Sequence, residues 1–198
     1  MFNVSPVLVI LAIAFHSGVI TKSPDKPSGP NCQTFSEGVE FNDTDAVGAW
    51  HLLHFRTEKT KGSGDPHCVE FMPIDVKERN RLQKDVGKFV ENLDWETLTL
   101  KMTIPCKTEE SNKTRSYYLE RLEDNGSYRT LQLPIYSVKF DFAAFHRYPM
   151  RLKLIEGEYL GIMDCHEKFV FIMGKDQPKG KETDERLKKM IETYWPEE

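Results

Sequence analysis

Two side chains in this sequence have the chemistry for a polar site, His54 and Asp164. The imidazole of His54 can contact a polar ligand group, or it can be a hydrogen-bonded core residue. The carboxylate of Asp164 can hold a ligand amine, or form an acid–base pair with a second carboxylate that the sequence does not identify. No Gly-x-Ser-x-Gly, His-Glu-x-x-His or phosphate-cradling pattern occurs in the chain. We therefore expect neither an enzyme nor a cofactor.

The chain contains four cysteines, Cys32, Cys68, Cys106 and Cys165. None belongs to a Cys-x-x-Cys pair or to a His/Cys ligand spacing, so the sequence predicts no metal site. An even set of cysteines in a secreted chain usually forms disulfides. We expect all four to be paired.

The first residues of the chain predict secretion. Pro6 to Ala14 form an apolar block that is too short to cross a bilayer and is followed by small and polar residues. We interpret residues 1–20 as a cleaved signal peptide. The alternative is a buried strand, but Lys22 to Pro30 is too rich in Pro, Ser and Gly to continue one. Three sequons support an extracellular glycoprotein, at Asn42, Asn112 and Asn125.

Composition limits the partners of the protein. The 198 residues carry 27 basic and 31 acidic side chains, a net charge of -4, so the chain has no cationic field to attract nucleic acid. No other segment is apolar and long enough to span a membrane. The length fits one domain at residues 48–198, preceded by a linker and amino-terminal arm at 21–47. The sequence leaves the oligomeric state open.

Most of this domain has the alternating pattern of half-buried β-strands. In Trp95 to Ile104, Leu98, Leu100 and Met102 alternate with polar residues. Turn signals such as Asn125-Gly126 recur at the roughly 8–12-residue spacing of an up-and-down sandwich or barrel. Nine segments have strand character: Trp50–Thr57, His67–Met72, Trp95–Ile104, Ser116–Leu122, Ser127–Leu133, Ser137–Phe142, Arg151–Ile155, Glu158–Asp164 and Lys168–Met173. Helical spacing within Lys77–Leu93 indicates a short helix or an irregular excursion from the barrel, and the sequence does not decide between them. Thr183–Tyr194 is predicted as an amphipathic helix.

Three short motifs resemble those of the lipocalin family. Gly48-Ala49-Trp50 resembles the first motif, and Met163-Asp164-Cys165 resembles the second. The third corresponds to residues 168–175, where Lys175 replaces an arginine that in the family packs over the motif-one tryptophan. The resemblance implies an all-β fold, an eight-stranded antiparallel up-and-down calycin barrel with one carboxy-terminal α-helix. It also implies that Lys175 lies over the Trp50 ring, as a cation–π contact.

The sequence most resembles the extracellular arthropod lipocalins, such as bilin-binding proteins and insecticyanins. In those proteins a cysteine before the first strand pairs with one at the end of the seventh, which implies Cys32–Cys165 here. Cys68 also fits their pattern, but their last cysteine, beyond the helix, has no counterpart, so Cys106 becomes its partner. In the family the motif-two aspartate usually ties backbone groups, and in the nitrophorin branch a histidine coordinates haem iron, a possible role for His54.

The resemblance implies that the barrel interior binds a small hydrophobic molecule, of the fatty acid, terpenoid, retinoid or tetrapyrrole class. Trp50 would form the floor. Strand alternation places seven candidates on the inner wall: Leu52, His54, Leu160, Ile162, Phe169, Phe171 and Met173. Further candidates from the other strands are Tyr117, Leu119, Tyr128, Phe140, Phe142 and Leu152. The alternative for each of these residues is that it is packed core. One alternative is a protein-interaction lipocalin with a filled cavity, which Phe142, Phe169 and Phe171 meeting across the barrel axis would favour. An isomerase using a cavity cysteine is another, and it would need a free thiol.

Overall fold

The structure is a computed structural model, which describes residues 31–57, 68–106, 114–133, 145–176 and 185–190. Several predictions fall outside these residues. They are the signal peptide at 1–20, the linker residues 21–30, the sequon at Asn112, and the strand at Ser137–Phe142 with the candidate ligand residues Phe140 and Phe142. Both ends of the predicted carboxy-terminal helix, 183–184 and 191–194, also lie outside the described residues.

Eight antiparallel strands form a closed barrel in simple sequence order, which confirms the predicted fold class. The strands are β1 (Gly48–Thr57), β2 (Cys68–Pro73), β3 (Leu98–Ile104), β4 (Arg115–Arg121), β5 (Ser127–Gln132), β6 (Pro149–Ile155), β7 (Tyr159–Asp164) and β8 (Phe169–Gly174). In the described residues they are accompanied by three α-helices, α1 (Asp43–Ala46), α2 (Val76–Val86) and α3 (185–190), and by short 3-10 helices at Gly87–Phe89 and Trp95–Thr97. Because β8 pairs with β1, the described sheet has no free edge along these strands.

Side chains alternate between the inside and the outside of the barrel along each strand. Every strand contributes to the apolar inner cluster, which includes Trp50, Val69, Phe71, Leu100, Met102, Leu119, Tyr128, Met150, Leu152, Leu160, Ile162 and Met173. Phe41 and Ala46, which precede β1, belong to the same cluster and plug the end of the barrel where β1 begins. We call this end the floor and the opposite end the mouth.

Of the two alternatives that the sequence left open between β2 and β3, the structure shows the helix, α2. Its first turn is capped by Asp75, whose side chain accepts a hydrogen bond from the Glu78 amide at 2.7 Å. Leu82 and Val86 are buried on one side of the helix. They pack on an outer patch of the barrel that contains Ile74, Leu98, Tyr118 and Leu131. The apolar side of α2 is therefore fully used within the protein.

A buried carboxylate ties the segment after α2 to the barrel wall. Glu120, on β4, forms an ion pair with Arg147, and only 7% and 13% of their side chains are exposed. Glu120 also accepts a hydrogen bond from the Asp94 amide at 3.3 Å. Arg147 donates to the carbonyl oxygens of Glu91 and Asn92 at 2.6 and 3.0 Å. The pair is thus hydrogen-bonded on both sides, as a buried charge requires.

The amino-terminal arm and α3 cover another outer face of the barrel. Phe35 packs beside Gly161, where an added Cβ would approach its ring to 3.1 Å, and Lys153 Nζ lies 4.4 Å from the ring centre. Leu187 and Met190 of α3 pack into the same cluster. The described part of the predicted carboxy-terminal helix therefore packs its apolar side on the barrel.

The turn between β4 and β5 holds the arm in place. The side chain of Asn125 accepts a hydrogen bond from the Phe41 amide at 3.0 Å and donates one to the Val39 carbonyl oxygen at 2.8 Å. Gly126 has φ +67°, and a Cβ there would clash with the Leu152 carbonyl oxygen. The predicted Asn-Gly turn therefore has two roles: the Asn125 side chain holds the arm, and Gly126 allows the backbone conformation of the turn.

Both implied disulfides are present, Cys32–Cys165 and Cys68–Cys106, with Cα–Cα distances of 5.2 and 5.3 Å. The first joins the arm to the residue that follows β7. The second joins the start of β2 to the residues after β3. No cysteine of the chain keeps a free thiol.

Candidate functional site

The floor of the barrel is built around Trp50, which is 1% exposed. Its indole Nε1 donates a hydrogen bond to the Ala46 carbonyl oxygen at 2.6 Å. Lys175 Nζ lies 3.9 Å from the centre of the Trp50 ring and donates to the Val47 carbonyl oxygen at 2.8 Å. The predicted position of Lys175 is confirmed. Burial against this floor lowers the pKa of Lys175.

Gly48 lies directly beside the ammonium group of Lys175. Its φ of +115° lies in a region that side chains disfavour, and a Cβ there would stand 3.1 Å from Lys175 Nζ. The two residues of the first motif thus both contact Lys175: Gly48 leaves room for the ammonium group, and Trp50 provides the aromatic ring beneath it.

Tyr128, predicted as a ligand residue, lies at the floor and is 1% exposed. Its hydroxyl donates a hydrogen bond to Asp43 Oδ1 at 2.5 Å, and Arg121 Nη1 lies 4.0 Å from Asp43 Oδ2. Burial, and then the hydrogen bond to Asp43, raise the pKa of Tyr128, so the phenol remains a protonated donor. Phe41 meets the ring edge to face, with centroids 6.3 Å apart. The hydroxyl is therefore engaged within the protein.

The predicted inner wall is largely assembled as expected. Strand pairing places Leu160 opposite Met173 and Ile162 opposite Phe171, and all four belong to the inner cluster. Other predicted residues in that cluster are Leu52, Tyr117, Leu119, Tyr128 and Leu152. Sequence reasoning missed several further members: Val69, Phe71, Leu100, Met102, Ile104, Met150 and Leu154. The alternation of Leu100, Met102 and Ile104 was visible in the sequence and could have identified them.

His54 does not face the interior, and the inward orientation predicted for it is wrong. β1 pairs with β8 at Leu52↔Met173 and next at His54↔Ile172, so β1 has one extra residue, Leu53. Such a bulge reverses the alternation of the residues that follow it. Ile172 belongs to the outer cluster, and residues directly opposite each other share a face. An outward His54 can neither contact a ligand nor coordinate haem inside the barrel.

Phe55 takes the inner position beyond the bulge and forms an aromatic cluster at the mouth. It stacks on Phe171 with ring centroids 4.9 Å apart and meets Phe169 edge to face at 5.3 Å. All three rings are only partly buried. They lie side by side on β1 and β8, so the predicted residues Phe169 and Phe171 join one aromatic wall.

A second group of rings lies where β6 approaches the mouth. Tyr148 is stacked between His146 and His166, with centroid distances of 5.6 and 4.0 Å. Its hydroxyl is 3.1 Å from His146 Nδ1. By strand alternation Tyr148 shares a face with Met150, a member of the inner cluster. These three rings bring polar atoms to the mouth end of the barrel, ahead of β6 and after β7. They were not predicted from the sequence.

Asp164 ends β7 and organises the following turn. Its Oδ1 accepts hydrogen bonds from the backbone amides of His166 and Glu167, at 2.9 and 3.0 Å. This matches the role that the lipocalin resemblance implied, since the carboxylate ties backbone groups. The oxygen Oδ1 is therefore committed to the turn rather than open to an amine.

The interior changes from packed to accessible between floor and mouth. Leu119, Leu160 and Met173 are 0% exposed. By contrast, Ile104 and Tyr117, where β3 ends and β4 begins, pack on the cluster but are only partly buried, as is Phe171. The accessible part of the inner wall is thus apolar and aromatic, with a phenol hydroxyl at Tyr117.

A polar cleft of about 520 Å³ lies outside the barrel, between the arm and the β4–β5 turn. Its lining includes Gln33, Glu37, Glu40 and Asp124, and none of the predicted ligand residues. An acidic, open cleft of this kind does not suit a hydrophobic ligand.

Within the described ranges, no group of three or more His, Cys, Asp or Glu side chains is arranged to hold a metal ion. Of the helices described, none has the length and apolarity needed to cross a bilayer. A scan against protein-family models and a search of curated proteins found no match to the chain.

Proposed function

We propose that this protein is a secreted, lipocalin-like carrier that binds a small hydrophobic molecule in the mouth half of its barrel. The observation that carries the proposal is the partial exposure of inward-facing apolar residues at the mouth, above a fully buried floor. Phe55, Phe169 and Phe171 form one side of that space, and Ile104 and Tyr117 lie on other strands.

Binding would be driven by burial of apolar ligand surface. Removing such surface from water is worth about 25 cal/mol per Å², or about 0.8 kcal/mol for each methylene. The polar atoms of Tyr117, Tyr148 and His146 are suited to orienting a polar group of the ligand at the mouth. Fatty acids, terpenoids, retinoids and tetrapyrroles all combine a large apolar body with such a group.

An extracellular location fits the paired cysteines, because disulfides persist mainly in oxidising compartments. It also fits the exposed positions of Asn42 and Asn125, two of the three sequons. We propose both as glycosylation sites. At Asn125 the glycan would be added before folding, because in the folded protein the side-chain amide is engaged by the arm.

The test is a binding screen with purified, delipidated protein. Members of the four ligand classes are titrated while the melting temperature and the intrinsic fluorescence are followed. A ligand that binds only the folded state should raise the melting temperature in proportion to its concentration above Kd. If no compound of any class shifts the melting temperature or the fluorescence, the carrier proposal fails.

A variant pair places binding at the mouth. Phe171→Ala should weaken binding at least about tenfold, because a large aromatic contact surface is lost. Phe89→Ala is the matched control, since this partly buried ring lies outside the barrel and stacks on Phe145 at 6.3 Å. Equal affinity in both variants would place the ligand elsewhere.

The second candidate is an interaction protein whose interior is filled by its own side chains. The packed floor favours it, since Trp50, Phe71 and Leu100 are all at most 1% exposed. The side-by-side arrangement of Phe169 and Phe171 favours the carrier instead. A thiol-dependent isomerase is disfavoured because all four cysteines are in disulfides.

A further inference from the structure

The solvent-facing side of α2 carries a row of four cations, which we call the α2 ridge: Lys77, Arg81, Lys84 and Lys88. At 100° per residue, positions 77, 81 and 84 fall within about 60° of one another around the helix axis. Lys88 extends the row in the 3-10 turn that follows α2. All four side chains are exposed. With a rise of 1.5 Å per residue, the ridge spans about 16 Å.

These cations have no acidic partner within the described part of the chain. Neighbouring cations do: Arg79 pairs with Glu96 at 2.7 Å, and Lys101 pairs with Glu78 at 2.8 Å. Asp85 flanks the ridge, about 40° around the helix from Arg81 and about 80° from Lys77, but forms no ion pair with a ridge cation. The ridge is therefore a line of four exposed cations without an ion-paired partner among the described residues, on a protein with a net charge of -4.

We propose that the α2 ridge binds a sulfated glycosaminoglycan chain. A linear row of exposed Lys and Arg complements a linear polyanion, because successive sulfate and carboxylate groups along the chain can each accept a charge-assisted hydrogen bond. The partner is extracellular, where the proposed secretion would place the protein. The ridge lies outside the barrel, so binding there is independent of the proposed ligand.

An anionic membrane fits the ridge less well. Membrane-surface helices insert an apolar side into the bilayer while cations contact the headgroups. Here the apolar side of α2, with Leu82 and Val86, is buried against the barrel. The flanks of the ridge carry polar residues, Asn80 and Gln83, and Val76 is an isolated exposed apolar residue at the start of the helix. A flat membrane also contacts a single line of charges less completely than an extended chain does.

The experiment measures binding of the full chain to a heparin oligosaccharide by calorimetry, at low and at physiological ionic strength. We expect binding that weakens as salt is added, since counterions compete for the exposed charges. The ridge variant combines Lys77→Gln, Arg81→Gln and Lys84→Gln, and should bind at least about tenfold more weakly. The control variant removes the same number of charges from other surfaces, with Arg115→Gln, Lys188→Gln and Lys189→Gln, and should lose less than about threefold.

Two further measurements keep the result decisive. Melting curves verify that both variants fold, and desulfated heparin is titrated into the unmodified protein, which should bind it much more weakly than heparin. The proposal is overturned if the unmodified protein does not bind heparin, if the ridge and control variants lose affinity equally, or if desulfated heparin binds as well. Preferential binding to phosphatidylserine vesicles over heparin would assign the ridge to membranes instead and would also overturn it.

Discussion

Lys175 Nζ lies 3.9 Å above the centre of the Trp50 ring, and the two residues close the barrel together. The ammonium group also bonds to the Val47 carbonyl oxygen, while the indole N–H bonds to that of Ala46. One cation therefore links the end of β8 to the chain entering β1. The floor is fixed by polar contacts from both ends of the barrel sequence as well as by apolar packing.

Replacing Lys175 with Met should lower the free energy of unfolding by about 1 kcal/mol, because a cation–π contact and a hydrogen bond are lost. Burial lowers the pKa of Lys175, so part of the contact energy is already offset by desolvation. Lys175→Arg, which can stack on the ring, should retain most of the stability. Urea denaturation measures both variants, and a Met variant as stable as the original would contradict the role of the cation.

Gly48→Ala should destabilise the protein by about 1–3 kcal/mol, because alanine is strained at φ +115° and its Cβ would stand 3.1 Å from Lys175 Nζ. The two causes can be separated by a double-mutant cycle with Lys175→Met. In the Lys175→Met background, Gly48→Ala should lower the free energy of unfolding by less, because the crowding against the ammonium group is absent and only the backbone strain remains. Strict additivity of the two substitutions would show that the glycine and the lysine do not interact.

Tyr128→Phe should cost about 1.5–3 kcal/mol at neutral pH, the usual range for a hydrogen bond to a charged group. The cost should shrink above pH of about 10, the ordinary pKa of tyrosine. Burial, and then the bond to Asp43, raise the pKa of Tyr128, so in this range the folded state keeps a proton that the unfolded state loses. The stability contributed by Tyr128 is therefore complete below the unfolded pKa and falls as the pH rises through the folded one.

The measurement for Tyr128 is the difference in unfolding free energy between the original and the Phe variant as a function of pH. Burial also raises the pKa of Tyr118, but that residue is present in both proteins and cancels in the difference. A difference that stays constant from neutral to strongly alkaline pH would refute the linkage.

Arg147→Met should destabilise the protein by about 3 kcal/mol, because it leaves the buried carboxylate of Glu120 without its main partner. Arg129 Nε, 3.8 Å from the same carboxylate, limits the loss. A double variant that combines Arg147→Met with Glu120→Leu should recover much of the lost stability, since the uncompensated charge is then absent. The variants are compared by their denaturant midpoints. A double variant that is less stable than Arg147→Met alone would mean that the pair contributes more than charge compensation.

Removal of the Cys32–Cys165 disulfide by paired Ser substitutions should cost about 5 kcal/mol, against about 4 kcal/mol for Cys68–Cys106, on a chain-entropy treatment of the two loops. The sequence separations are 133 and 38 residues. The first variant should also release the arm to limited proteolysis near Phe35, whereas the second should leave the arm protected. Equal protection of the arm in both variants would show that packing alone holds it.

The floor of the site could be predicted because the lipocalin resemblance implied that Lys175 lies over the Trp50 ring. Lys175 is far from Gly48 and Trp50 in the chain, yet the pairing of β8 with β1 brings them together. The β1 bulge could not be predicted in the same way. Leu52 and Leu53 are both apolar, so either register buries a leucine, and hydrophobic periodicity cannot detect the extra residue that turns His54 outward.

The outer layers were equally hard to foresee. The spacing of Leu82 and Val86 indicated a helix, but the strand patch that α2 covers depends on the bulge between Leu98 and Leu100, which turns Leu98 to the outer face. The rings of His146, Tyr148 and His166 come from segments with no common motif. Their stacking follows from strand pairing, which a single sequence does not reveal.

The path of the amino-terminal arm determines which strand bears a force applied to the amino-terminal end of the chain. Cys32 is bonded to Cys165 at the mouth, and from there the arm passes Phe35 on the outer wall and Phe41 at the floor before β1 begins. Tension applied ahead of residue 32 therefore enters the sheet through β7 and bypasses the junction of Gly48 with Lys175. The Cys32–Cys165 disulfide transfers such a force to β7. A force on the residues that precede the arm therefore does not pull β1 away from its neighbouring strands.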